Sequence, residues 1–303
     1  LYLLICFINF SVFAQNTTYN PITSSGDLYE YSQYASVGNK DLSIQDILLE
    51  KNLEYQDLSS DNQSLGFTSQ NYWVKFKLEN TSNDKATYYL ETARPVTDKA
   101  NMFIVTQDSI QTFKSGDQIP FETRQVAHRS TVFKLVLLPN TVQDVYMEFG
   151  SDGETINLPL NLFTESEFWI MNYKQQLFLG LFYGLLFLAG IIYLFFYTSL
   201  KEKTFLYYGC YVFSIALLQG ALDGFISPKT MEFVYPLSNL NGLLSLILLL
   251  ATIFTMRYKK LRVDFYFSIG IFFLIIGLLG FVMNNLSLLP NNFFTLNSSK
   301  FGS

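Results

Sequence analysis

The 303-residue chain carries 20 Lys and Arg against 25 Asp and Glu, a formal net charge of -5, and half of its residues are hydrophobic. That balance excludes a basic nucleic-acid-binding protein, two cysteines exclude a disulfide framework, and a single histidine excludes a His-cluster metal site. The average conceals two unlike parts: residues 16–174 hold 12 basic against 21 acidic residues, whereas residues 175–303 hold 8 against 4 and are dominated by apolar runs.

Residues 1–14, "LYLLICFINFSVFA", are too short to cross a bilayer, and the alanine before Gln15 suits a signal peptidase, so a secretory signal peptide is expected. No charged stretch or initiator Met precedes it, and the start reads as incomplete or mis-assigned. Its removal takes Cys6 with it and leaves the exported part, residues 16–167, without a disulfide; a core of that size needs none.

Between residues 71 and 150 apolar and polar side chains alternate. "YWVKFKLEN" sets Tyr72, Val74, Phe76 and Leu78 on one face and Trp73, Lys75, Lys77 and Glu79 on the other, and "TYYLET", "NMFIVTQ", "TVFKLVLL" and "DVYMEFG" repeat the period. With "SIQTFKSGDQ" and similar polar stretches read as separators, and weaker strands at 28–37 and 155–160, the expectation is an all-β sandwich of two sheets, with a short helix in "SIQDILLEKNLEYQDL". No nucleophile has an imidazole beside it and no Gly-rich phosphate loop is present, so neither catalysis nor a cofactor is expected. Trp73, Lys75 and Arg94 could form an aromatic and basic patch for a small polar ligand, although Trp73 equally suits a core plug. Arg124, His128 and Arg129 stand just before a strand, where a solvated strand start competes with a ligand role.

Residues 168–175 form a short connector without Gly or Pro, and Trp169 and Tyr173 suit the outer headgroup level. Four membrane spans are expected at 176–200, 205–225, 237–256 and 265–283, with Gly180, Gly184, Gly190, Gly270, Gly277 and Gly280 allowing close helix contact. Loops after the first and third spans hold Lys201, Lys203, Arg257, Lys259, Lys260 and Arg262, whereas the intervening loop offers only Lys229 beside Glu232; the basic loops are expected inside. Asp223, the one acid near a span end, is expected at an interfacial turn or helix end rather than in a proton relay, because no other span carries an ionisable partner. Residues 284–303 read as an external loop of a longer, truncated protein.

The order of these parts resembles the bacterial seven-transmembrane receptors with diverse intracellular signalling modules. "LSSDNQSLGFTSQNYWVKFKLENTSNDKATYYLETARPVTDKANMFI" and "HRSTVFKLVLLPNTVQDVYMEFGSDGETINLPLNLFTESEF" look like their second type of extracellular domain; "LFLGLFYGLLFLAGIIYLFFYTSLKEKTFLYYGCYVFSIALLQGALDG" looks like the start of their seven-helix domain. The resemblance implies a jelly-roll-like, carbohydrate-binding-like sensor domain and an output module after the seventh span. Lys75 stands where the family often has Arg, which keeps the charge and loses the planar fork. The function expected is therefore a receptor in the bacterial cytoplasmic (inner) membrane, its sandwich in the periplasm. Its expected partners are a small ligand such as a sugar, the lipid bilayer, a downstream signalling module and a second copy in a homodimer, with no nucleic acid. A membrane-anchored adhesion or assembly protein is the alternative, and a transporter is disfavoured by the absence of broken polar helices.

Overall fold

A computed structural model of the protein describes residues 18–50, 52–93, 97–106, 109–151, 155–225, 244–245, 247–256, 265–285, 288–289 and 293–302. The expected signal peptide, Arg94, Lys229 and the basic cluster Arg257, Lys259, Lys260 and Arg262 lie outside the described residues.

Alternation along β5 (Asn71–Asn80) makes it the centre of a seven-stranded sheet. It pairs antiparallel with β10 (Thr141–Gly150), Val145 opposite Phe76 and Met147 opposite Val74, and with β2 (Gln33–Gly38) on its other side. Beyond β10 lie β7 (Lys99–Val105) and β8 (Ile110–Ser115); β3 (Gln56–Asp57) flanks β2, and β1 (Thr18–Tyr19) joins β5 in parallel. Against one face lie a three-stranded sheet, β12 (Asn161–Thr164), β6 (Ala86–Ala93) and β9 (Thr131–Leu137), and a pair formed by β4 (Gln63–Phe67) and β11 (Thr155–Leu158).

Between the layers sits the main core. Tyr72, Val74, Phe76 and Leu78 from β5 meet Leu90 of β6 and Phe133, Leu135 and Leu137 of β9, with Met102 of β7, Met147 of β10 and Leu158 of β11. Burying each such side chain contributes about 1.5–3 kcal/mol against exposure. The fold is thus an all-β sandwich followed by helices, as alternation predicts. β8 corrects the expectation for "SIQTFKSGDQ": an edge strand with one partner exposes most of its side chains and needs no apolar alternation. The weak candidate at 28–37 divides into a short 3-10 turn, Leu28–Tyr31, and β2.

Two smaller clusters cover the outer faces. Over the large sheet, α1 (Ile44–Leu49) lays Ile44 and Ile47 on Trp73, Phe103 and Val37. Its first turn is held by a capping box, Ser43 accepting from the Asp46 N–H and Asp46 from the Ser43 N–H. Over the three-stranded sheet, Tyr89 and Val132 receive Phe168, a residue of the helix that leaves the sandwich.

That helix, α2 (Glu165–Leu200), begins directly after β12 with its own capping box, Thr164 with Glu167. Its 36 residues extend about 54 Å, well beyond a hydrocarbon core of about 30 Å. Segment 168–175 therefore lies inside the helix. Lys201 ends it in the left-handed region (φ 56°), and α3 (Lys203–Leu222) returns beside it. Among the described residues, α2 and α3 are the two helices long and apolar enough to cross a membrane, where four spans were expected. Described after them are α4 (Ile247–Met256), α5 (Phe265–Asn285), α6 (Phe293–Leu296) and α7 (Ser298–Gly302). The glycines divide: a Cβ at Gly190 would meet the Phe213 ring of α3 at 2.7 Å, but Gly180, Gly184 and Gly270 face nothing within 4 Å among the described residues. Only Gly190 of those three α2 glycines serves the α2–α3 contact.

Candidate functional site

Polar side chains gather where the sandwich meets the helices. Phe168, Asn172, Gln175 and Gln176 follow one another at helical spacing along α2, and these early turns pack on the outer face of β6 and β9 rather than standing free. Phe168 is fully buried, its ring parallel to Tyr89 with centroids 4.6 Å apart. Trp169 and Tyr173 turn outward, 39% and 66% exposed.

The loop before β9 supplies the other side. Arg124 organises it: its Nε donates to the Ile119 carbonyl (2.8 Å), its Nη1 to the His128 carbonyl (3.0 Å), and its guanidinium covers the Phe121 ring. Burial holds the Arg124 pKa below its ordinary value, with Asp117 opposing. His128 is buried edge-on to Phe168 and meets Asn172 Oδ1 through Nε2 at 3.2 Å. Arg129 reaches furthest, donating through Nη2 to Gln175 Oε1 (2.6 Å) on α2 and through Nη1 to the Asp223 carbonyl (3.3 Å) at the end of α3. Beneath it, burial pushes the Glu91 carboxyl of β6 up, against the Ser130 hydroxyl bond and the charge of Arg129.

Asp223 closes α3 as its C-cap, the helix-end position expected from sequence, and is 7% exposed. Its carboxylate accepts from the Tyr183 hydroxyl of α2 (2.5 Å) and pairs with Lys300 of α7 (2.8 Å). One acid thus joins the second helix, the first helix and the later segment, while its backbone holds the sandwich. A second contact lies at the end of α5: Asn157 of β11 donates to Asn62 Oδ1 (3.0 Å), and Asn62 donates to the Asn284 carbonyl (3.1 Å).

The other candidates lie on the opposite face of the sandwich. Trp73 is fully enclosed beneath α1, its ring stacked on Phe103 at 5.3 Å, so it is core and offers no ligand surface. Lys75 sits with its Nζ 3.6 Å from the centre of the Tyr55 ring, opposite Tyr146 in the strand register. Burial, then Lys77, lowers the Lys75 pKa, and burial with Tyr146 nearby pushes the Tyr55 phenol up to about 12. Lys201 and Lys203 stand exposed at the opposite end of α2 from the sandwich. The structure therefore brings Arg124, His128, Arg129 and Asp223 together and separates them from Trp73 and Lys75. Glu91, Phe168, Asn172, Gln175, Tyr183 and Lys300 belong to the junction without having been singled out. The helical spacing from 168 to 176 was a legible signal, whereas Lys300 had none nearby.

The family model for the 7TMR-DISM extracellular 2 domain matches residues 29–164, and that for the 7TM diverse intracellular signalling domain matches residues 175–229 and 227–303. No curated protein matches the chain. Among solved structures, a beta-glucosidase from Kluyveromyces marxianus in complex with glucose is similar at 11% identity and TM-score 0.29, covering 44% of this chain, which spans 15% of that enzyme. A family 35 carbohydrate binding module from Clostridium thermocellum (9% identity, TM-score 0.23) covers 45% of this chain and 95% of its own. The Epithelial Adhesin 9 A domain from Candida glabrata, in complex with Galb1-3GlcNAc (5% identity, TM-score 0.23), covers 43% and 79%. With both family domains in order along its length, the chain belongs to the 7TMR-DISM family, the seven-transmembrane receptors with diverse intracellular signalling modules, and is a membrane signalling receptor with an extracytoplasmic sensing domain.

Proposed function

We propose that the sandwich, residues 16–167, binds a small ligand outside a bacterial cytoplasmic membrane and moves α2 as a rigid body. In this reading 176–200, 205–225, 237–256 and 265–283 are the first four spans, Lys201 and Lys203 mark the inner face, and an output module beyond the bundle does the chemistry. The carrying observation is the junction itself: the early turns of α2 pack on the sandwich, and Arg129 holds α2 and α3 at once. Two further contacts fit the same orientation, His128 with Asn172 at the start of α2 and Asn62 with Asn284 at the end of α5, so that the start of α2 and the ends of α3 and α5 all meet the sandwich. For the ligand, the surface around Tyr55, Lys75 and Tyr146 offers two half-buried rings with an ammonium between strands, a chemistry suited to carbohydrate.

The test uses the full chain in nanodiscs with Cys6→Ser, so that Cys210 in α3 is the reporting thiol. A β-linked oligosaccharide panel should contain a binder that changes the rate of Cys210 alkylation. Inserting Gly-Gly-Ser-Gly after Lys174 should keep binding and remove that change. A binder whose effect survives the insertion would make the helix a passive tether; a panel without binders would remove carbohydrate as the ligand class.

A further inference from the structure

His128 is the one histidine of the chain, and both of its ring nitrogens are committed. The Ser130 N–H donates to Nδ1 at 3.1 Å, which requires Nδ1 to be unprotonated. Nε2 therefore carries the hydrogen and donates to Asn172 Oδ1, an oxygen that also accepts from Gln176 Nε2 at 3.3 Å. This neutral tautomer is the form that satisfies both contacts, Nδ1 accepting within the loop and Nε2–H donating to α2. An imidazolium would turn an N–H on Nδ1 against the Ser130 N–H and would add a third cation beside Arg124 and Arg129. Burial is the largest cause that holds the imidazole below its ordinary 6.5; the Asn172 bond opposes it and Arg129 adds to it.

Arg124 and Arg129 face the ring from its own loop, Phe168, Asn172 and Gln176 from α2, and Tyr89 and Glu91 lie on the β6 face beneath, with Lys134 of β9 over the Tyr89 ring and Asp223 behind Arg129. We propose that His128 is a proton-operated release in the junction: a proton taken from the external solution onto Nδ1 breaks the Ser130 contact, sets a third positive charge beside Arg124 and Arg129 beneath Phe168 and so loosens the sandwich from α2, while Nε2–H keeps its bond to Asn172. The inference rests on the coupling role given to the junction above. Its sign is fixed by the preference for the neutral ring. Docking is unaffected above pH 6.5, weakens as pH falls from there toward the lower docked value, and changes no further below it. Glu91 works the other way: its docked form favours the proton, so its contribution is present at low pH and is lost as pH rises through its raised value. The two are separated by measuring His128 with Glu91→Gln.

The chain has two tryptophans, and Trp169 lies 5.2 Å from the Phe168 ring that His128 touches. In full-length protein in nanodiscs carrying Trp73→Phe and Glu91→Gln, Trp169 emission and acrylamide quenching are followed from about pH 7.5 to about pH 4.5. A one-proton transition below pH 6.5 with increased quenching is expected. His128→Gln should abolish it. Asn172→Asp, which sets a carboxylate before Nε2, should move the midpoint up by about 1 unit or more, and this shift decides the matter if His128→Gln does not fold. A flat titration, a transition that persists in His128→Gln, or an unmoved midpoint in Asn172→Asp overturns the proposal. The Cys210 experiment at neutral pH judges coupling separately: a response lost on insertion alongside a flat titration would keep the coupling and dismiss the proton release.

Discussion

Replacing Phe168 with alanine should detach α2 from the sandwich without unfolding the sandwich. Phe168 is fully buried against Tyr89, Val132, Trp169 and His128, in a cluster separated from the main core by the three-stranded sheet itself. Removing a buried phenylalanine costs about 3–5 kcal/mol, and here that loss falls on docking, because the cluster that holds this ring shares no residue with the main core. At about 1.4 kcal/mol per tenfold, the undocked fraction should rise by roughly two to three and a half powers of ten. Hydrogen exchange of the full chain in nanodiscs separates the two effects. Amides of residues 126–132 and 165–175 should lose protection, while β5 and β10, paired to each other across the large sheet, should keep theirs. Equal loss in both regions would show one cooperative unit and refute the separation; no loss at 165–175 would refute the docking itself.

Cysteines placed singly at Ser82 and Lys260 in a Cys210→Ser background should differ in intact cells: an impermeant maleimide should label position 82 alone, and labelling of 260 would reverse the topology. Asp223→Asn removes the carboxylate that Lys300 and Tyr183 share, and should lower the stability of the helical part by about 3–5 kcal/mol by thermal unfolding; a change near zero would mean the pair is solvated. Trp73→Phe keeps the stack on Phe103 and removes an indole N–H that has no hydrogen-bond partner among the described residues, so it should cost far less than Trp73→Ala, at about 3–5 kcal/mol. Equal melting losses in the two variants would argue that the N–H is bonded.

Most of the sandwich was legible because a face buried in the core imposes a period of two, and β5, β6, β7, β9 and β10 each turn one face to the main core. β8 and β4 were not, since an edge strand and a strand pair with Gly66 in it need little apolar alternation. Site residues divided on different grounds. Arg124, His128 and Arg129 are close in sequence and stay together in space, so their cluster could be found; its purpose could not, because Asn172, Gln175 and Asp223 reach it from 44 to 94 residues away. Trp73 misled for a local reason. Its face of β5 is polar at Lys75, Lys77 and Glu79, and nothing in that strand announces that α1 folds over the first of those positions.

The unbroken run of α2 from β12 to Lys201 sets a scale for what an event in the sandwich can achieve. A helix of that length, gripped over its early turns, magnifies angle into displacement. A tilt of about 5° at the gripped end sweeps the far end by roughly 5 Å over its ~54 Å, about the pitch of one helical turn. Lys201 and Glu202 alone separate that end from α3, so the sweep cannot dissipate in slack and must carry the neighbouring helix with it. Sub-ångström adjustments at the gripped end would then arrive at the Lys201 end as a shift large enough for another protein surface to read.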